Sequence, residues 1–209
     1  MTYDELTNDE ANAIKAFWEQ SIRPLTRSRN YGDAASIVRA RVESETKVAV
    51  RARLLQDLEV LLLMDGREDE ALAVIHEHID LEPDNPLSWC GLASWHHSLG
   101  KSPNAPALTS ALEAIDTAVE KARRRRRWLR YCLNARCRIA VTMQRYDLLA
   151  ESLRAILEIP LRANLPDIWL EDDFLRRLPD GAVEPDLLGA YRAALDDQKA
   201  WLAKHGSWA

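Results

Sequence analysis

Glycine is scarce in this chain, seven residues among 209, and phenylalanine scarcer still at two. The glycines stand singly, so no G-x-G-x-x-G or G-x4-G-K-[ST] phosphate loop and no G-x-S-x-G nucleophile turn exists. Cysteine is equally sparse: Cys90, Cys132 and Cys137 form no CxxC and leave one thiol over in any disulfide scheme. That usage points to a reducing compartment, and a cytoplasmic location is expected. The longest unbroken apolar run is Val60 to Met64, far below the roughly 20 residues that a bilayer span needs, so no membrane partner is expected. Met1 to Glu10 is acidic and has no apolar core of a secretory signal. Sustained period-two alternation is missing as well, which removes the usual mark of a half-buried strand.

What is present is enough to fold. Hydrophobic residues make up 47% and charged residues 29%, a globular balance that can bury a core without disulfide or metal staples. The formal net charge is only -5, yet the charge is unevenly spread. Leu54 to Glu120 holds thirteen acids against Arg67 and Lys101, whereas Lys121 to Arg138 holds nine bases and no acid. Arginine supplies most of the positive charge. It suits bidentate recognition of carboxylate or phosphate, and it also follows from the codon usage of a GC-rich genome.

Apolar residues recur at three- and four-residue spacing nearly throughout, so the expected fold class is all-α. Thr7-Asn8-Asp9-Glu10 reads as a capping box opening a helix that Pro24 should stop near Arg23. A second helix should follow Tyr31-Gly32 with Asp33 as its cap. A third should occupy about Thr46 to Met64, with Val48, Leu55, Leu58 and Leu62 on one face and Asp65-Gly66 ending it.

Internal repetition is the strongest signal. Leu55, Leu58, Leu62 and Gly66 recur 34 residues later as Trp89, Leu92, His96 and Gly100. Between them Ala71, Ile75, His78 and Pro83 trace a second pattern. Trp89-x2-Leu92-Ala93-x2-His96 followed by Ala-x3-bulky and a closing proline resembles the tetratricopeptide repeat family, with Ala for Gly and His for Tyr in the first helix. The pattern returns about six residues late as Ala111, Ile115 and Ala118, which makes Lys101 to Ala107 a longer loop. A displaced third unit carries Leu133, Cys137 and Ala140, then Leu149, Leu153 and Ile156 before Pro160, with Arg136 where the family has leucine. Upstream, Tyr31, Ala34 and Val38 make a half-match. The run Arg123 to Arg127 coincides with the displacement and is expected to extend one helix or bridge two.

The resemblance implies a right-handed tetratricopeptide-like α-solenoid of antiparallel helix pairs with divergent capping helices, one domain over 1–209. Residues 1–45 would be an N-terminal cap and half-repeat, 46–160 the repeats, and 161–209 the C-terminal capping helices. The cap is expected as a short helix from Pro166-Asp167 through Ile168, Leu170 and Leu175, a turn at Leu178 to Gly181, and a final helix from Pro185 with Leu187, Leu188, Tyr191, Leu195 and Trp201 as its stripe. Exposed ends of a solenoid need such caps because each repeat hides its apolar face only against a neighbour.

The resemblance also implies a concave groove lined by first helices. Carried onto this chain, the groove positions are Arg53, Gln56, Val60 and Leu63, then Leu87, Cys90, Ser94 and His97, then Tyr131, Asn134 and Arg138. The residues at the family's clamp positions, Gln56, Cys90 and Asn134, do not reproduce the lysine-asparagine-arginine set that holds a C-terminal carboxylate. Beside the groove, Arg123, Arg127, Arg130, Asn134 and Arg138 would form one basic helical stripe next to Tyr131.

Catalytic and metal chemistry find little support. His76 and His78 diverge by about 200° on a helix, His96 and His97 by about 100°. Only a cross-helix set of His78, Cys90 and His96 is conceivable, and His78 and His96 stand where helices pack. Glu171-Asp172-Asp173 reads as a solvated helix start. The leading expectation is therefore a non-enzymatic adaptor without cofactor or metal that binds a protein or peptide segment, an acidic one included. The rivals are a nucleic-acid-binding regulator using Lys121 to Arg138 and, third, a metal-binding or enzymatic protein.

Overall fold

The computed structural model describes residues 6–159 and 173–205, and every regular element among them is helical. The chain divides into two compact units, Met1–Trp95 and His96–Ala209.

In the first unit α1 (Asn8–Phe17) opens on the Thr7 capping box, with the Thr7 hydroxyl accepting from the Glu10 amide and the Glu10 carboxylate accepting from the Thr7 amide. Pro24 does not stop the chain. A π-helical turn, Trp18–Ile22, leads directly into α2 (Arg23–Arg27). Proline clashes with the carbonyl four residues before it in a regular helix, and the wider turn, in which the Arg23 amide bonds the Trp18 carbonyl, relieves that clash. The cap of α3 (Tyr31–Ser44) is Asn30 rather than Asp33: the Asn30 side chain accepts from the Asp33 amide at 3.4 Å and donates to the Asp33 carboxylate at 2.6 Å. Asparagine just outside the first turn can reach the orphan amides, whereas Asp33 is already helical.

Helix α4 (Val48–Met64) is the spine of this unit. It packs beside α3 on one side and α5 (Glu68–Leu81) on the other. Leu54, Leu55, Leu58, Leu61 and Leu62 are all 1% exposed or less. Each contributes about 2 kcal/mol by leaving water. Ala71 and Ile75 of α5 are fully buried at the repeat positions, and Ala34 and Val38 of α3 likewise. Gly66, at φ +74°, turns the chain between α4 and α5. Phe17 and Trp18, half-buried, lie against this core. Helix α6 (Pro86–Leu99) starts on Pro86. Its Trp89 does not fill an interior gap: the ring is half-buried, and its indole N–H bonds the Pro83 carbonyl at 2.9 Å.

The second unit begins within α6. A loop from Lys101 delivers α7 (Pro106–Arg125), later than the strict repeat and in line with the sequence spacing. Gly100 is compact of necessity, since a Cβ there would lie 2.3 Å from the Leu108 side chain. Ala111, Ile115 and Ala118 are fully buried. The arginine run extends α7 as far as Arg125 and does not bridge two helices. α7 ends at Arg125, Arg126 and Trp128 take left-handed backbone at φ +55° and +62°, and α8 (Leu129–Thr142) begins afresh. The basic stripe expected on one helical face is therefore broken.

Helix α8 packs between α7 and α9 (Tyr146–Leu157), and Leu133, Cys137, Ala140, Leu149, Leu153 and Ile156 are all buried. A 3-10 turn, Asp173–Arg177, brings Phe174 against Tyr191 of α10 (Pro185–His205), ring centroids 5.9 Å apart. Tyr191 and Leu195 are buried, while Leu187, Leu188 and Trp201 are half-buried. The expected helix from Pro166 through Leu175 lies outside the described residues up to Asp172, as do Pro160 and Glu171, and its end at Leu175 falls in the 3-10 turn rather than an α-helix.

Candidate binding face

Helix α4 carries the clearest outward face. Beyond Ala52, its residues that are not buried are Arg53, Gln56, Val60, Leu63 and Met64. Their spacing puts them on one side of the helix, away from its packing against α3 and α5. The stripe has a polar end and an apolar end. Arg53 holds Asp57 at 3.0 Å and donates to the Gln56 side-chain oxygen at 3.2 Å. Val60 and Met64 are 48% and 54% exposed, the two most exposed large apolar side chains among the described residues. Burial pushes the Asp57 carboxyl up to about 6, against the opposing pull of Arg53.

Behind this stripe lies a buried polar network that the sequence pattern did not foretell. Glu59 and His78 occupy positions on α4 and α5 where the repeat pattern has small residues, and both are nearly or fully buried. Their facing atoms, Glu59 Oε2 and His78 Nδ1, are 3.7 Å apart, and neither has a hydrogen-bond partner. The Asn85 side-chain oxygen accepts from the Leu87 amide at 3.0 Å, so its NH2 group faces His78 Nε2 at 3.5 Å and Glu82 at 2.8 Å. Burial raises the Glu59 carboxyl, and His78 offsets part of that rise. The carboxylate is accommodated only because α6 presents glycine: a Cβ at Gly91 would lie 2.7 Å from Glu59 Oε1. The signs of this cluster in the sequence were Glu59 and His78 at positions where the repeat pattern has small residues.

The other expected groove residues separate into those available and those committed. Ser94 is exposed and His97 half-buried, its Nε2 2.9 Å from the Thr142 hydroxyl. Leu87 and Cys90 are buried at 3% exposure, so neither lines an open face. In α8 the corrections are larger. Arg130 is 3% exposed and donates to the Ile159 carbonyl at 2.7 Å, while Asn134 is 1% exposed and accepts from the Tyr191 hydroxyl at 3.2 Å. Both hold the fold together and face no solvent. Tyr131 is exposed, and Arg127 and Arg138 are half-buried. His78 is fully buried but His96 only half-buried, so the two histidines expected at helix contacts fare differently. Among the described residues no three His, Cys, Asp or Glu side chains are placed to hold a metal ion.

A cavity of about 250 Å³ lies between α1, α3 and α4, with Ile14, Phe17, Val50 and Leu54 in its wall. Its rim charges are matched among themselves, Lys47 with Glu10 and Arg41 with Glu45. Lys47 and the Thr7 amide hold the Glu10 carboxyl down to about 2. No unmatched polar group remains there to select a ligand.

Comparison of the chain with known protein families, with characterised proteins and with solved structures finds no match in any of the three.

Proposed function

We propose that this chain is a tetratricopeptide-like repeat protein, a right-handed α-solenoid with capping helices, and that it is a non-enzymatic adaptor binding a protein segment along the outward face of α4. One observation carries the reading: the residues that α4 leaves unburied after Ala52 include the four that the resemblance assigns to a groove, Arg53, Gln56, Val60 and Leu63. A helix sandwiched between two others has no structural need to show Val60 and Met64 to water, and paired exposed apolar side chains beside a charged end suit an extended or helical peptide. Arg53 and Gln56 would then orient the chain through hydrogen bonds while Val60 and Met64 supply apolar contact. Among the described residues no helix is long and apolar enough to cross a membrane.

Selection from a random-peptide display library against the whole chain tests the reading. Enriched peptides should share a pattern, and Val60→Asp with Met64→Asp should weaken them at least tenfold, while Ile37→Asp, an exposed apolar position on α3, should leave binding intact. Failure to enrich any sequence, or equal loss with Ile37→Asp, overturns it.

A further inference from the structure

We propose that the turn joining α7 to α8 and the start of α8, Arg123 to Tyr131, is a binding ledge for single-stranded nucleic acid. Between Glu120 and Asp147 the chain has no acid and ten bases, in a molecule otherwise rich in acids. Two of the ten, Arg130 and Arg136, are buried and committed to the fold, and Arg145 pairs with Asp147 at 2.6 Å. Most of the positive charge left at the surface collects at one place, with Arg138 apart on α8. Arg123, Arg124 and Arg126 are exposed and Arg125 half-buried. Of these, Arg124 pairs with Glu120, while Arg123, Arg125 and Arg126 have no acidic partner among the described residues.

The helix break is what gathers them. On a continuous helix five consecutive arginines would point around more than a full turn. The left-handed backbone at Arg126 and Trp128 ends α7 there and starts α8 on a new axis, so the run becomes the tip of a helical hairpin. Aromatic surface adjoins it. The Arg127 guanidinium lies 5.2 Å over the Trp128 ring, and Trp128 meets Tyr131 edge to face at 6.4 Å, with Tyr131 38% exposed.

Unpaired guanidinium forks favour a partner carrying several anionic oxygens, and an exposed ring beside them favours one with flat apolar faces. An acidic peptide meets the first requirement only. A nucleic acid meets both, and only in a single strand is a base free to stack on Tyr131. The overall charge of -5 opposes long-range attraction, but at physiological salt screening confines that opposition to about 8 Å, and the nearest stretch of chain is basic.

The test uses the full chain and a fluorescein-labelled 20-nucleotide oligouridine, followed by anisotropy at several salt concentrations. Three or four arginine-phosphate contacts should give a log-log slope of about -2 to -3. Arg123→Ala with Arg126→Ala should weaken binding at least tenfold and flatten the slope by about 1.4, with circular dichroism unchanged. Tyr131→Ala should weaken oligouridine about fivefold or more, Tyr131→Phe should restore it, and neither should alter binding of a 20-residue polyglutamate. No binding at 50 mM salt overturns the proposal. So does polyglutamate binding as tightly as oligouridine with Tyr131→Ala without effect, which would assign the tip to acidic peptides instead. The α4 face takes no part in this outcome, so the two readings fail separately.

Discussion

Each unit of the molecule buries a polar cluster where a helical repeat would ordinarily place leucine or alanine, and the two clusters are built on opposite principles. In the second unit the centre is a cation. Arg136 is 8% exposed, and its fork reaches Asp116 at 2.8 Å, the Ser152 hydroxyl at 3.0 Å and Glu151 at 3.3 Å. Its acids stand half in water, so little charge is stranded. In the first unit the centre is acidic: Asp57, Glu59 and Glu82 are all buried, and among the described residues Glu59 Oε2, Glu82 Oε1 and His78 Nδ1 have no hydrogen-bond partner. An arginine fork can satisfy several neighbours at once, whereas a carboxylate facing an imidazole across 3.7 Å satisfies neither. The second cluster should therefore stabilise its unit, and the first should leave its unit sensitive to protons.

The largest effect should come from breaking the satisfied cluster. Arg136→Ala should cost about 3 kcal/mol, from the lost bonds of a buried guanidinium and the cavity it leaves, read as a lower denaturant midpoint. A loss below about 1 kcal/mol would mean that Arg136 is replaceable packing.

Next comes the proton dependence of the first unit. The Asp57 carboxyl is raised in the fold to about 6 from 3.8. Such a group's stabilisation is complete below the unfolded value and is lost as pH rises through the folded one. Asp57 should therefore add about 2 kcal/mol of stability as pH falls from 7.5 to 4.5, and the raised Glu59 works in the same direction. Asp57→Asn should be more stable than the parent at pH 7.5 and should flatten the profile, measured by thermal unfolding across that range. A parallel profile in the variant would refute the assignment. Glu10 and Asp147, held down to about 2 by Lys47 and Arg145, act oppositely and in a lower window, losing their contribution as pH falls from about 4 towards 2.

Gly91→Ala should cost about 1–2 kcal/mol, because the added methyl meets the Glu59 carboxylate. Combining it with Glu59→Ala should recover most of that loss, and simple additivity in the double-mutant cycle would show that the crowding lies elsewhere. Smallest of all, Trp89→Ala should cost about 1 kcal/mol, since a half-buried ring loses less than an interior tryptophan. A loss of 3 kcal/mol or more would place it in the core.

The all-helical class, the placement of α4 to α9 and the apolar core were legible in the sequence, since each follows from local spacing. Leu55, Leu58 and Leu62 recur at helical intervals, Gly66 supplies a positive φ, and Ala71 and Ile75 mark a close helix pair. Such signals lie within a few residues of one another and depend on backbone geometry alone. What the tertiary structure alone decided is the fate of polar side chains. Nothing near Asn134 in the chain announces Tyr191, and nothing near Arg130 announces the Ile159 carbonyl, so both looked like surface residues. Pro24 reads as a stop until a π turn accommodates it, and five arginines read as one helix until Arg126 and Trp128 reverse the backbone. Hydrophobic burial rewards any apolar neighbour and so can be read from pattern. Hydrogen bonds and ion pairs require particular atoms at about 3 Å, and those partners are brought together only when distant helices dock.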